Sequence, residues 1–246
     1  MWGPCQGPHV GRRLVALGMV VTVAAVLTCC TWSHSERLRT LPADRNAPVL
    51  YVALGDSTVE GVAATSPQHT YVANLHSRLR AIYPAARVEN LGVGGAVSAD
   101  VVRSQLWRAV ALQPDLVTLS IGPNDVTGGV PVNAYEENVG RIFTALRGNH
   151  AMVVVNLLPD LVVTPRFRRA PHRDAVAAMT VAFNDALGRQ AEKHGVLVVD
   201  LYTASREEVP RRPELIAADG YHPSDAGYAR WAELMWQVIE PRAVAH

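Results

Sequence analysis

The chain has 246 residues, a formal net charge of +1 and 49% hydrophobic residues. That size and apolar fraction exclude a wholly disordered chain, and near-neutral charge excludes a protein whose main partner is a nucleic acid, since phosphate binding needs a basic surface. The cysteines, Cys5, Cys29 and Cys30, all lie near the N-terminus, which excludes a disulfide framework, a cysteine nucleophile or a cysteine-held metal in the rest of the chain.

Arg12 and Arg13 precede an uncharged, mostly apolar run from Leu14 to Cys30. A basic flank followed by a short apolar segment is the pattern of an export signal. The run sits at the low edge of what spans a bilayer, so a cleaved signal and a retained anchor both stay open. Thr31-Trp32-Ser33 offers a small-x-small cleavage site, and Cys29 or Cys30 a site for lipidation. Residues 1–35 are therefore expected to direct export to the cell envelope or medium. Residues 36–48, with Pro42, Asn46 and Pro48, read as a linker. Residues 49–246 form the expected domain.

Within that body, short runs rich in β-branched residues alternate with helical patterns. Strands are expected at Val49–Leu54, Val88–Leu91, Leu116–Ile121, Met152–Leu157 and Val196–Leu201. Most are continuous apolar runs, as in strands buried on both faces. Between them, Tyr71, Leu75, Leu79 and Ile82 share one helical face. Val102, Leu106 and Val110 share a second, and Val139, Ile142, Phe143 and Leu146 a third. Ala175–His194 reads as a long helix stopped by Gly195. Trp231, Leu234, Met235 and Val238 stripe a last helix that is expected to end before Pro241, with the stripe as core packing. Long loops are expected at Gly122–Val132, Pro159–Arg173 and Tyr202–Tyr221. Such alternation predicts an α/β fold with a parallel sheet and helices on both faces. Ligands of such folds bind outside the carboxyl ends of the strands, so loops after strands are where chemistry is sought.

Four of those loops carry reactive residue types. The first strand ends in Gly55-Asp56-Ser57-Thr58. A serine there can be exposed at the sheet edge as a nucleophile, or can simply cap a helix. It is not a G-x-S-x-G elbow, because Asp56 and Val59 stand at the wrong places. The second strand runs into Asn90-Leu91-Gly92-Val93-Gly94-Gly95-Ala96, where a glycine can present its N–H to a reacting oxygen. Val97 stands where a dinucleotide fingerprint needs its last glycine. The third leads into Gly122-Pro123-Asn124-Asp125, where Asn124 is either an oxyanion donor or a turn residue. Finally, Asp219-Gly220-Tyr221-His222-Pro223 sets a carboxylate and an imidazole on one tight turn. They suit an oriented general base. A metal site would need a third ligand, and no recognisable spacing supplies one. Ser224 is expected to cap the last helix. Arg166, Arg168, Arg169 and Arg173 cluster in one loop, either as a solvated face or as a contact for an anionic head group. Together these residues form the set that serine-based acyl transfer requires.

The sequence resembles the SGNH hydrolases, also called the GDSL esterase/lipase family, from about Val49 to the last helix. Gly55-Asp56-Ser57 matches the family's first block, Asn90 with Gly95 its second, Gly122-Pro123-Asn124-Asp125 its third, and Asp219 with His222-Pro223 its last. Gly92 and Gly94 lie close enough to Gly95 for that assignment to slip. Thr58 departs from the leucine of the family name. The resemblance implies a three-layer α/β/α sandwich, flavodoxin-like, with five central parallel strands. It implies Ser57 as nucleophile, His222 as base and Asp219 as its orienting acid. The oxyanion hole would be Ser57, Gly95 and Asn124, with no metal and no cofactor. The expected substrate is a small-molecule or lipid ester with a small to medium acyl chain. The expected alternatives are a carbohydrate O-acetyl esterase, an acyltransferase, or a non-catalytic exported binding protein on the same fold. Membrane contact is expected only through the N-terminal segment, if it is retained.

Overall fold

A computed structural model describes residues 39–148 and 150–243; the expected export segment lies outside them. Five strands form within a residue or two of the apolar runs: β1 (Leu50–Gly55), β2 (Arg87–Asn90), β3 (Leu116–Ser120), β4 (Met152–Asn156) and β5 (Leu197–Val199). All pair in parallel, in the order β2-β1-β3-β4-β5. Nine helices connect or follow them among the described residues. They are α1 (Ser57–Glu60), α2 (Tyr71–Ile82), α3 (Ser98–Asp100), α4 (Leu106–Leu112), α5 (Pro123–Thr127), α6 (Val132–Arg147), α7 (Arg173–His194), α8 (Leu201–Glu208) and α9 (Asp225–Ala243). No helix among the described residues is long and apolar enough to cross a membrane.

The period-two geometry of a strand sorts side chains to two faces. Tyr51, Ala53, Leu116, Met152 and Val154 meet α2 and α9 on one face. Val52, Leu54, Val117, Leu119, Val153 and Val155 meet α4, α6 and α7 on the other. Both faces are covered, so the central strands are mostly apolar, with Thr118, Ser120 and Asn156 as buried polar exceptions, and the result is the expected three-layer α/β/α sandwich. β2 is mostly exposed, because it is an edge strand. The chain leaves β1 for β2 on one side and later reaches β3 on the other. This reversal opens a crevice at the carboxyl ends of β1 and β3.

Four features differ from expectation. The expected loop Gly122–Val132 holds α5 and the first residue of α6. Tyr202–Tyr221 is not simply a loop: α8 opens it, with the Asp200 carboxylate accepting from the Thr203 N–H. Its charged residues Arg206, Glu207 and Glu208 hide the apolar face from sequence patterning. Next, α9 runs past Pro241 to Ala243. Its last carbonyls are satisfied from elsewhere: Leu41 N–H donates to Arg242 O, while Arg45 Nη1 and Tyr83 Oη donate to Ala243 O. These bonds also correct the linker reading. Residues 39–48 lie against the domain, with Leu41 only 1% exposed within the α2–α9 core.

Leu41→Ala is expected to cost about 2–5 kcal/mol, the range for emptying a buried leucine site. Urea unfolding measures it. An unchanged midpoint would mean that this segment adds nothing to the fold.

Candidate active site

The site starts from the turn after β1. Gly55 has φ +146°, and a Cβ there would lie 1.9 Å from the Ser120 carbonyl oxygen of β3. Only glycine fits. The side chain of Gln105, 2% exposed, grips this residue from both sides: Gly55 N–H donates to Oε1, and Nε2 donates to the Gly55 carbonyl, each at 2.8 Å. A π-helical turn, Val101–Gln105, delivers that amide. No local signal marks Gln105 in the sequence, since it acts across 50 positions.

Asp56, not Ser57, caps α1. Its Oδ1 accepts from both the N–H and the hydroxyl of Thr58 at 2.9 Å. Ser57 is thus freed from capping and becomes the first residue of α1. Its hydroxyl lies 3.0 Å from His222 Nε2, and His222 Nδ1 lies 2.6 Å from Asp219 Oδ2. A carboxylate only accepts, so Nδ1 carries the proton and donates, which leaves Nε2 of the neutral ring to accept from Ser57. Asp219 Oδ1 also accepts from the N–H groups of Tyr221 and His222. Partial burial pushes the Asp219 carboxyl up, but these hydrogen bonds, that from His222 first, outweigh it and hold the group below the usual range. The turn itself is tied to the domain. Ala217 N–H donates to His222 O, and Arg166 N–H donates to Gly220 O. Ser224 caps α9 as expected, accepting from Gly227 N–H at 3.2 Å.

Of the three neighbouring glycines, Gly92 gives its N–H to Asn90 Oδ1 and Gly94 gives its N–H to Glu60 Oε2. Gly95 has φ +78° and open space where a Cβ would be. Its N–H, like that of Ser57, meets no acceptor among the described residues. Asn124, in α5, donates through Nδ2 to Ala96 O at 3.0 Å, which fixes its amide one residue from Gly95. The two loops are joined beneath by Asp125, fully buried, which accepts from the N–H and the hydroxyl of Ser98. Burial raises the Asp125 carboxyl, and the Ser98 bonds oppose it. Asp125 was visible in the third block, but its bond to Ser98 was not.

Beside Ser57 and His222 opens a largely apolar pocket between α8, α9 and the Leu161–Val163 turn. Trp231, read as core, does both jobs. It stacks on Tyr71 at 5.3 Å and also lines this pocket with Leu234. The arginine cluster divides: Arg166 sits over the Tyr221 ring at 4.9 Å, and Arg173 pairs with Asp174. Among the described residues, no group of three or more His, Cys, Asp or Glu side chains could hold a metal ion.

A family model for GDSL-like lipases and acylhydrolases matches residues 53–230. A GDSL-like esterase of Mycobacterium tuberculosis is 27% identical over 188 residues, 75% of this chain and 60% of that protein. The chain therefore spans about 60% of that relative's length. Two solved structures are similar in fold. One is an alpha/beta hydrolase enzyme from the metagenome of Lake Arreo, Spain, with 24% identity, TM-score 0.66 and coverage of 79% of this chain and 96% of that one. The other is an acetylxylan esterase from Geobacillus stearothermophilus, with 22% identity, TM-score 0.64 and coverage of 79% and 95%.

Asp56 supplies a pH test. Burial pushes its carboxyl from 3.8 up to about 6, against the pull of the Thr58 bonds. The folded state then holds a proton that the unfolded state has released between those values. Stability therefore falls as pH rises through that window, then levels off. Asp56→Asn keeps a capping oxygen and removes the titration. Between pH 4 and 7, the wild type is expected to lose about 2 kcal/mol that the variant does not. Urea unfolding across that range measures the difference, and parallel curves would clear Asp56 of this role.

Proposed function

We propose that this chain, which belongs to the GDSL-like lipase/acylhydrolase family, cleaves carboxylic esters of small to medium acyl chains through an acyl-enzyme on Ser57. The observation that carries this reading is the hydrogen-bonded series from Ser57 Oγ through His222 to Asp219. Activation of the hydroxyl needs a base within reach and an acid to orient that base, and the series supplies both.

His222 Nε2 takes the Ser57 proton as Oγ attacks the ester carbonyl. Asp219 keeps the imidazole in the required tautomer and stabilises the imidazolium that forms. The oxyanion is held by the N–H groups of Ser57 and Gly95 and by the Asn124 amide. Each such donor lowers the barrier by roughly 3–4 kcal/mol. His222 then gives its proton to the departing alcohol. In the second half, a water loses its proton to His222 and attacks the acyl carbon, and Ser57 recovers its proton from His222. No step calls for a metal or cofactor. The same chemistry serves acetyl esters of carbohydrates, the substrate class named for the Geobacillus neighbour.

Ser57→Ala is expected to reduce p-nitrophenyl ester hydrolysis to background and to abolish labelling by a fluorophosphonate. Asn124→Ala should slow turnover about a hundredfold or more through loss of one oxyanion donor. Wild-type activity in Ser57→Ala would sink the assignment.

Export is a second proposal, supported by Arg12-Arg13 and the apolar run Leu14–Cys30. Fractionation with N-terminal sequencing is expected to find the protein in the envelope or medium. A full-length chain found only in the cytosol would refute it.

A further inference from the structure

We propose that the pocket beside Ser57 holds the acyl chain of the substrate and that the Glu208–Arg230 ion pair walls it off and limits chain length. This inference rests on the ester-hydrolase reading and adds the substrate class to it.

The pocket is a cavity of about 100 Å³. Ser57 and His222 line it, and so do Glu208 of α8 and Arg230 of α9. Leu161, Leu201, Val209, Leu215 and Trp231 are all buried and form its walls. Glu208 and Arg230 bridge α8 and α9 as an ion pair. Arg230 Nη2 lies 2.8 Å from Glu208 Oε1, and Arg230 Nε donates to both Glu208 oxygens at 3.1 Å. Arg212 and Glu233 extend the pair along the surface. Glu208 and Arg230 also line a separate outer groove with Arg78 and Arg211. The pair is therefore the partition between the apolar interior and that groove.

Two arguments assign this space to the acyl group rather than to the alcohol. The acyl group stays on Ser57 through both half-reactions, whereas the alcohol must leave past it between them. A pocket walled off from the outer groove by that pair suits the part that stays. Second, an acetyl group would fill only the space next to Ser57 and leave the leucine walls untouched. A longer chain buries methylenes against them, and each is worth about fourfold in binding. The partition also explains a limit. A methylene pushed against it displaces water from paired charges without replacing their hydrogen bonds.

The test is kcat/KM across p-nitrophenyl esters from acetyl to dodecanoyl, beside n-alkyl acetates of matching length. We expect a rise of about fourfold per methylene from acetyl, then a fall once the chain meets the ion pair. The alkyl acetates should show no such rise. In Glu208→Ala and in Arg230→Ala, the ratio of dodecanoyl to hexanoyl activity should increase about tenfold. Ala204→Leu, which fills the pocket from α8, should lower the ratio of hexanoyl to acetyl activity about tenfold. An acetyl optimum, or dependence on the alcohol chain instead, would overturn the inference while leaving the enzyme a serine esterase. Unchanged profiles in all three folded variants would do the same. Absence of both hydrolysis and fluorophosphonate labelling would overturn the ester-hydrolase reading itself, and this inference with it.

Discussion

The site depends on a close approach of two strand ends. β1 and β3 are neighbours, and the Ser120 carbonyl at the end of β3 occupies the space that a Gly55 side chain would need. The same carbonyl accepts from the Asp56 N–H at 3.2 Å. Gly55 therefore turns sharply; its N–H is left to a side chain, that of Gln105, which also donates to the Gly55 carbonyl beside the Val93 N–H. Unpaired, that buried N–H would cost about 1–3 kcal/mol. The consequence for chemistry is direct. Ser57 enters α1 at its first position, with an unspent backbone N–H and its hydroxyl toward His222.

Three aspartates around that turn have the same side chain and different tasks, set by their surroundings. Asp56 is buried at the turn, and burial raises its carboxyl even though two Thr58 groups bond it. Asp125 is also buried and is spent on holding the Ser98 loop to the Asn124 loop. Asp219 is the exposed one, with its side chain 42% accessible. It has the richest donor set, from His222 and two N–H groups, and its carboxyl is lowered. Only Asp219 combines a stable charge with a bond to the imidazole, which the orienting role requires.

The segment that aims His222 also builds the pocket. Leu215 O accepts from Ser224 N–H, and Ile216 bridges Pro223, so the His222 turn is pinned to residues that line the apolar space. Gly220 is packed against Pro165, and Tyr221 lies against both the His222 ring and Phe167. Base and pocket are thus one packed unit. A substrate chain seated there would touch the same residues that hold the imidazole in reach of Ser57, which would couple binding to orientation.

Sequence by itself determined the sandwich and marked the candidate reactive residues. The apolar runs are local and periodic, so all five strands and the long helices could be read from them. Ser57, Gly95, Asn124, Asp219 and His222 are legible as candidates because each stands within two residues of a glycine or proline that has no place in a buried strand. Tertiary structure decided the rest, because the partners are distant in the chain. Gln105 reaches Gly55, Asp125 reaches Ser98, and Leu41 and Arg45 satisfy the end of α9, none of it marked by a local pattern. The same holds for α8, whose polar composition concealed a helix, and for Trp231, whose stripe position gave its core role but not its place in the pocket wall. Periodicity reports which face of an element is buried; only the packed structure reports what that face meets.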